Sequence, residues 1–170
     1  MTDNTGTAIN RKTMPLWIVW LLVAGIVMLD QYTKLLCIQY LQQGTPLNIF
    51  PGLDFLLAYN QGAAFSFLDG AGGWQRWFLG GISILMSTVL IIWLWRLPRH
   101  QKLLMTALAL ILGGALGNLY DRVMTGYVVD FISVYAGHWR FAIFNVADAA
   151  VSCGAVLMAF EILLSGVRRE

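Results

Sequence analysis

Apolar residues along this chain fall into four long stretches separated by polar and turn-forming segments. The first is uncharged from Leu16 to Leu29 and continues past Asp30 and Lys34 to about Ile38. The second runs without a charge from Trp77 to Trp95, with tryptophans at both ends. The third is uncharged from Leu103 to Tyr120. The fourth runs from about Phe141 to Leu164 and contains Asn145, Asp148 and Glu161. About 20 helical residues cross a ~30 Å hydrocarbon core. An open, unpaired backbone cannot cross lipid, so helices are expected over about 15–38, 75–96, 102–120 and 141–165. No small-x-small cleavage site follows the first stretch, so it is expected to be a retained anchor. Asp30 and Lys34 stand at i and i+4 on one face of it.

Between these stretches lie two longer connections, 39–74 and 121–140. The first carries Thr45-Pro46, Pro51-Gly52 and the run Gly70–Gly73 as breakers. Short apolar-aromatic runs between them, Leu53–Tyr59 and Ala63–Leu68, predict small strands at a membrane surface. Residues 1–13 are polar and are expected to form a tail. Residues 96–102 form a short basic turn containing Pro98.

Composition agrees with lipid as the solvent. Hydrophobic residues make up 58% and charged residues 12%, against roughly 45–50% and about 25% in soluble domains. A net charge of +2 is too small to suggest a nucleic-acid partner. Charge distribution says more. With four spans, both termini share a side with Arg11, Lys12, Arg96, Arg99, Lys102, Arg168 and Arg169; only Lys34, Arg76, Arg122 and Arg140 lie on the other. The richer side is cytoplasmic by the positive-inside rule, so 39–74 and 121–140 face outward. The expected fold is an all-α polytopic membrane protein of one domain over 1–170, with both termini cytoplasmic. Cys37 and Cys153 form no C-x-x-C pattern, and His100 and His138 fall on opposite sides, so no metal site is expected.

The acids are unevenly placed. Asp3 and Glu170 are in the tails, Glu161 is near the inner end of the fourth span, and Asp54 and Asp69 are expected to be solvated. Asp30, Asp121, Asp130 and Asp148 all fall near the outer interface. Asp148 lies inside an apolar span, where a charge is costly and usually faces a cavity or a partner. Asn145 and Ser152 share its helical face. It reads either as a functional acid or as an ion pair with Arg122 or Arg140. Asp130, within Val128-Val-Asp-Phe-Ile132, reads either as an exposed loop acid or as one aimed into a pocket. Gly113 and Gly117 give a small-xxx-small face for close helix approach. Asn118 and Arg122, at i and i+4, point at one place, while Asp121–Arg122 reads equally as a local pair. Gly62 after Asn60 reads as a simple turn or a point of close backbone approach. Two carboxylates sharing a site cannot both ionise easily. One then serves as a base towards water and the other as an acid towards a carbonyl.

Five ordered runs carry a family resemblance: Asp30-Gln-Tyr-Thr-Lys34, Asn60-Gln-Gly-Ala-Ala-Phe65, Gly113-Gly-Ala-Leu-Gly-Asn-Leu-Tyr-Asp-Arg122, Val128-Val-Asp-Phe131 and Phe144-Asn-Val-Ala-Asp148. Together, over about residues 15–165, the chain resembles bacterial lipoprotein signal peptidase, or signal peptidase II. That resemblance implies an aspartyl endopeptidase of the bacterial inner membrane, with four helices and an outer β-structured cradle. It implies prolipoprotein substrates cut just before a diacylglyceryl-modified cysteine, inhibition by the cyclic peptide globomycin, contact with membrane lipids, no cofactor, and a monomer. The family's dyad maps onto Asp130 and Asp148. Its substrate-contacting positions map onto Asn60, Gly62, Asn118, Arg122 and Asn145, with Asp30, Lys34 and Asp121 in support. Trp74, Trp77 and Phe78 are offered as an interfacial lid. The rival reading, a small transporter or proton-relay subunit, predicts acids spread through the membrane depth.

Overall fold

The computed structural model describes residues 13–62 and 73–167, with side chains to residue 164. The predicted tail, apart from Thr13, and the strand predicted at Ala63–Leu68 lie outside the described residues, as do Asp3, Asp69 and Glu170. Four helices are long and apolar enough to cross a membrane. They are α1 (Leu16–Tyr40), α2 (Trp74–Arg96), α3 (Lys102–Met124) and α4 (Val146–Val167). Four strands complete the described fold: β1 (Leu47–Phe50), β2 (Leu53–Asn60), β3 (Val128–Ala136) and β4 (Trp139–Phe144).

Helix α3 packs against the other three helices. Its glycines explain how closely. A Cβ at Gly113 would lie 2.9 Å from Ile26 Cβ, and one at Gly114 only 2.3 Å from the Ala147 carbonyl oxygen. Lipid offers no hydrophobic drive between helices, so small residues that permit backbone contact take over that work. The expected small-residue face at Gly113 and Gly117 meets α1, at Ile26 and Asp30. The α2–α3 turn includes Pro98, and the Met14 N–H donates to the Arg99 carbonyl at 2.9 Å, tying the start of α1 to that turn. The buried apolar cluster of Val19, Val23, Leu94, Met105, Leu108 and Leu112 fills this end of the bundle.

The opposite end carries the sheet, where α1 and α3 finish and α2 and α4 begin. It is antiparallel, in the order β1-β2-β3-β4. The β1–β2 turn places Gly52 at φ +98°, and the β3–β4 turn places Gly137 at φ +59°, backbone conformations that glycine adopts without steric cost.

Several boundaries differ from expectation. Helix α4 starts at Val146, not near residue 141, because residues 139–144 pair with β3 as a strand. A short apolar run beside a span fits either period; the Asn145 cap decides where helix begins. Helix α3 continues to Met124, which puts Asp121 and Arg122 on a helix, not in a loop. Asp54 is buried, not solvated. It pairs with Arg140 at 3.2 Å and accepts from Asn48 at 3.0 Å.

Candidate active site

Asp148 stands in the first turn of α4, where the chain passes from strand to helix at Asn145. The two residues cap each other. The Asp148 N–H donates to Asn145 Oδ1 at 2.9 Å, and the Asn145 N–H donates to Asp148 Oδ2 at 3.2 Å. This is a capping box with asparagine and aspartate in the usual Ser/Thr and Glu/Gln places. It satisfies two donors that a helix start otherwise leaves open. The Ala147 N–H finds its acceptor across the bundle, in Asp30 Oδ1 at 2.9 Å. Asn118, on α3, donates from Nδ2 to Asp148 Oδ1 at 2.8 Å.

Asp130 comes from β3, the strand paired on one side with β2 and on the other with β4. Its carboxyl accepts from Asn145 Nδ2 at 2.7 Å and from Asn60 Nδ2, at the end of β2, at 3.1 Å. Asn145 therefore binds both acids, Asp130 through its side chain and Asp148 through its backbone and side-chain oxygen. Asp130 is 4% exposed, so the exposed-acid reading does not hold. Burial, followed by the neighbouring Asp148 carboxyl, pushes the Asp130 carboxyl up to about 7, against the pull of Asn60, Asn145 and Lys34.

Both acids line a cavity of about 580 Å³. Its polar end holds Asn60, Asn118, Arg122, Asp130 and Asp148. Its apolar wall is Phe141–Phe144 of β4 with Ala149, Val151, Ser152 and Cys153 of α4. Arg122 donates to the Gly62 carbonyl at 3.3 Å and to the Asn118 carbonyl at 3.4 Å. Gly62 is buried, and its N–H donates to Asn60 Oδ1 at 2.9 Å. Among the described residues Arg122 forms no ion pair, and Arg140 is engaged by Asp54. The ion-pair reading of Asp148 is therefore not realised.

A second polar cluster lies beside the first. Lys34, 2% exposed, sits 2.7 Å from Asp30 Oδ2 and 2.7 Å from Asp121 Oδ2. Asp121 thus pairs with Lys34 and not with Arg122. Gln31, to which no role was assigned from sequence, donates to Asp121 Oδ1 at 2.8 Å and to Asp30 Oδ2 at 3.2 Å. Its place inside the Asp30-Gln-Tyr-Thr-Lys34 run was the available signal. Lys34 also donates to Asn118 Oδ1 at 3.0 Å, which joins the two clusters. Trp74, Trp77 and Phe78 are exposed on the first turns of α2, and none of them lines the cavity.

Comparison with known proteins gives one answer throughout. A family model described as signal peptidase (SPase) II matches residues 22–164. A lipoprotein signal peptidase of Ectopseudomonas mendocina is 50% identical over 149 residues, covering 86% of this chain and 88% of the relative. One of Shigella boydii serotype 4 is 48% identical over 143 residues, covering 84% and 87%. A solved bacterial membrane enzyme superimposes with a TM-score of 0.85 at 28% identity, covering 94% of this chain and 96% of the other. A second, at 30% identity, gives a TM-score of 0.78 and covers 90% and 97%.

Proposed function

The chain belongs to the signal peptidase II family, and from that premise we propose that it hydrolyses its substrate with Asp130 and Asp148 as an aspartic dyad. Family membership makes it a multi-pass membrane protease that removes signal peptides in lipoprotein maturation. The observation that carries the dyad is the shared cavity: the buried Asp130 carboxyl and the half-buried Asp148 carboxyl meet through Asn145, with amide donors around them and no cation in ion-pair reach among the described residues.

Asp148, whose carboxyl accepts from the Asn118 amide and the Asn145 N–H, takes the part of the base. Asp130, raised to about 7, holds the proton. Asp148 takes a proton from a water, and the water oxygen attacks the scissile carbonyl. Asp130 gives its proton to the carbonyl oxygen. In the collapse of the tetrahedral intermediate, Asp148 protonates the leaving amine and the hydroxyl proton returns to Asp130. Asn60, Gly62, Asn118, Arg122 and Asn145 align the substrate backbone and the dyad. Asp30, Lys34 and Asp121 hold the start of α4 in place.

In this reading the whole chain is one membrane-embedded unit of the bacterial inner membrane. Its sheet end faces outward and its termini are cytoplasmic, which the Lys/Arg distribution supports. The bond cut precedes a diacylglyceryl-modified cysteine. The signal helix and acyl chains remain in lipid, the apolar wall of the cavity takes the small residues of the cleavage site, and globomycin occupies the same cavity. The enzyme works as a monomer without cofactor.

The test uses enzyme purified in detergent and a diacylglyceryl-modified prolipoprotein. Wild type cleaves it, and Asp130→Asn and Asp148→Asn do not. Retained cleavage by either variant removes the dyad; no cleavage by wild type removes the assigned substrate.

A further inference from the structure

Three asparagines surround the dyad, and each must present its amide nitrogen to act as a donor. An asparagine amide is nearly symmetric in shape, so its orientation is set by the groups it meets. Asn60 is oriented by the Gly62 N–H, which bonds Oδ1 and leaves Nδ2 for Asp130. Asn145 is oriented by the Asp148 N–H, which bonds Oδ1 and leaves Nδ2 for Asp130 and for Asn118 Oδ1. Both anchors are backbone groups. Asn118 differs: among the donors at its Oδ1, the one that only donates and cannot rotate into an acceptor is the Lys34 ammonium, at 3.0 Å.

Resting on the dyad reading above, we infer that Lys34 is a positioning residue that locks the Asn118 amide with Nδ2 towards Asp148 and so maintains Asp148 as the base. With Asn118 reversed, its NH2 would face an ammonium and its oxygen would face the Asp148 carboxylate. Both contacts repel. Removing the ammonium leaves the Asn145 amide and the ionised Asp148 carboxylate to oppose reversal, and the second is lost when Asp148 takes a proton. A reversed Asn118 accepts a hydrogen bond from a protonated Asp148, which is the wrong form for attack by water. The other charged groups facing this carboxyl are Arg122 of α3 and Asp130 of β3. Asp30, on α1, reaches the same helix start through the Ala147 N–H.

Two variants isolate the effect. Asn118→Leu removes the amide and leaves the ion cluster whole. Lys34→Met/Asp121→Asn removes the ammonium together with one of its carboxylates, so the cluster keeps one net negative charge. Each is expected to lower kcat by about 100-fold and change KM by less than about threefold. Each is also expected to move the acid limb of the kcat–pH profile upward by about one pH unit or more, from the loss of a hydrogen bond to a charged group. Where the methionine pair does not fold, Lys34→Gln/Asp121→Asn carries the same expectation, because glutamine accepts from a reversed Asn118. An acid limb that stays in place in the Lys34 variants, whatever the loss in kcat, overturns the inference and leaves Lys34 a structural residue. A limb that stays in place in Asn118→Leu overturns it too. Asp148→Asn is measured alongside. If it is active, the dyad itself is wrong; if it is inactive while the limbs stay put, only the role of Lys34 is wrong.

Discussion

Two pairs of aspartates meet at the start of α4, three of the four buried and Asp148 half-buried, and they are stabilised in opposite ways. Asp30 and Asp121 share the Lys34 ammonium at 2.7 Å each, with Gln31 bridging them. Among the described residues, Asp130 and Asp148 share amides, chiefly Asn145, and they open onto a cavity. A carboxylate pair that shares its own buried cation has each acid engaged by that cation and turned away from the cavity. A pair without one, here lining the cavity, is the one proposed to share a proton and to meet the peptide. Burial of an acid marks neither role; the presence of a counterion separates them.

The contrast is broken most directly by neutralising each pair in turn. Asp130→Asn and Asp148→Asn are expected to lower kcat by about 10³-fold or more, the scale of lost acid–base chemistry, with unfolding midpoints near wild type. Asp30→Asn and Asp121→Asn should reverse that order, losing stability first and activity only as folding fails. Cleavage assays paired with thermal unfolding in detergent give both columns. Equal stability losses in all four variants would erase the distinction.

Removing the shared cation comes next. Lys34→Met strands two buried carboxylates, and breaking a buried pair costs about 3–5 kcal/mol. The full cost is to be read from chemical unfolding in mixed micelles near pH 7. A loss below ~1 kcal/mol would mean that the cluster is not held by charge.

A smaller effect comes from the proton on Asp130. In the folded protein its carboxyl titrates at about 7, above its ordinary 3.8. The native state therefore holds a proton that the unfolded chain releases. Stability from this group is complete below about 4 and is lost as pH rises through 7. Unfolding free energy should decline by about 1–4 kcal/mol between pH 4 and 8 from this source, and the decline should vanish in Asp130→Asn. Cleavage, which uses the protonated acid, should fall as pH rises past about 7.

The two pairs were not equally legible in sequence. Asp148 stood out because an acid within an apolar span needs a reason. Asp130 did not, because the strand that carries it is buried on both faces. Val128, Val129, Asp130 and Phe131 are all buried, so the run lacks the alternation by which a half-exposed strand is recognised. Its place depends on β2 pairing with β3, Ala58 opposite Asp130, a contact between residues far apart in the chain. Asp54 was misread for a related reason: its partner Arg140 lies on β4, a strand that sequence reading divided between the outer connection and the fourth helix. The helices themselves were visible, since lipid demands long apolar runs and the chain has four.

Helix contact supplies the finest test of the comparison, because each pair sits on a different one. Gly117 faces the ion cluster, and a Cβ there would lie 2.8 Å from Asp30 Oδ2, a side-chain atom and not backbone. Gly114 faces the dyad's helix, and a Cβ there would lie 2.3 Å from the Ala147 carbonyl oxygen and 2.7 Å from Val151 Cγ2. A backbone carbonyl in the first turn of α4 cannot yield without moving the turn. Gly114→Ala must therefore push α4 away from α3 and stretch the Asn118–Asp148 hydrogen bond. Overpacking of this kind costs about 1–3 kcal/mol. Its signature should be a loss of kcat larger than the loss of stability explains, which Gly117→Ala, acting on the sealed cluster, should not show. Gly25→Ala, where a Cβ meets nothing within 4 Å, sets the baseline for adding a methyl group to a helix in this protein. If Gly114→Ala matches that baseline in both activity and stability, the dyad does not depend on the close approach of α3 and α4.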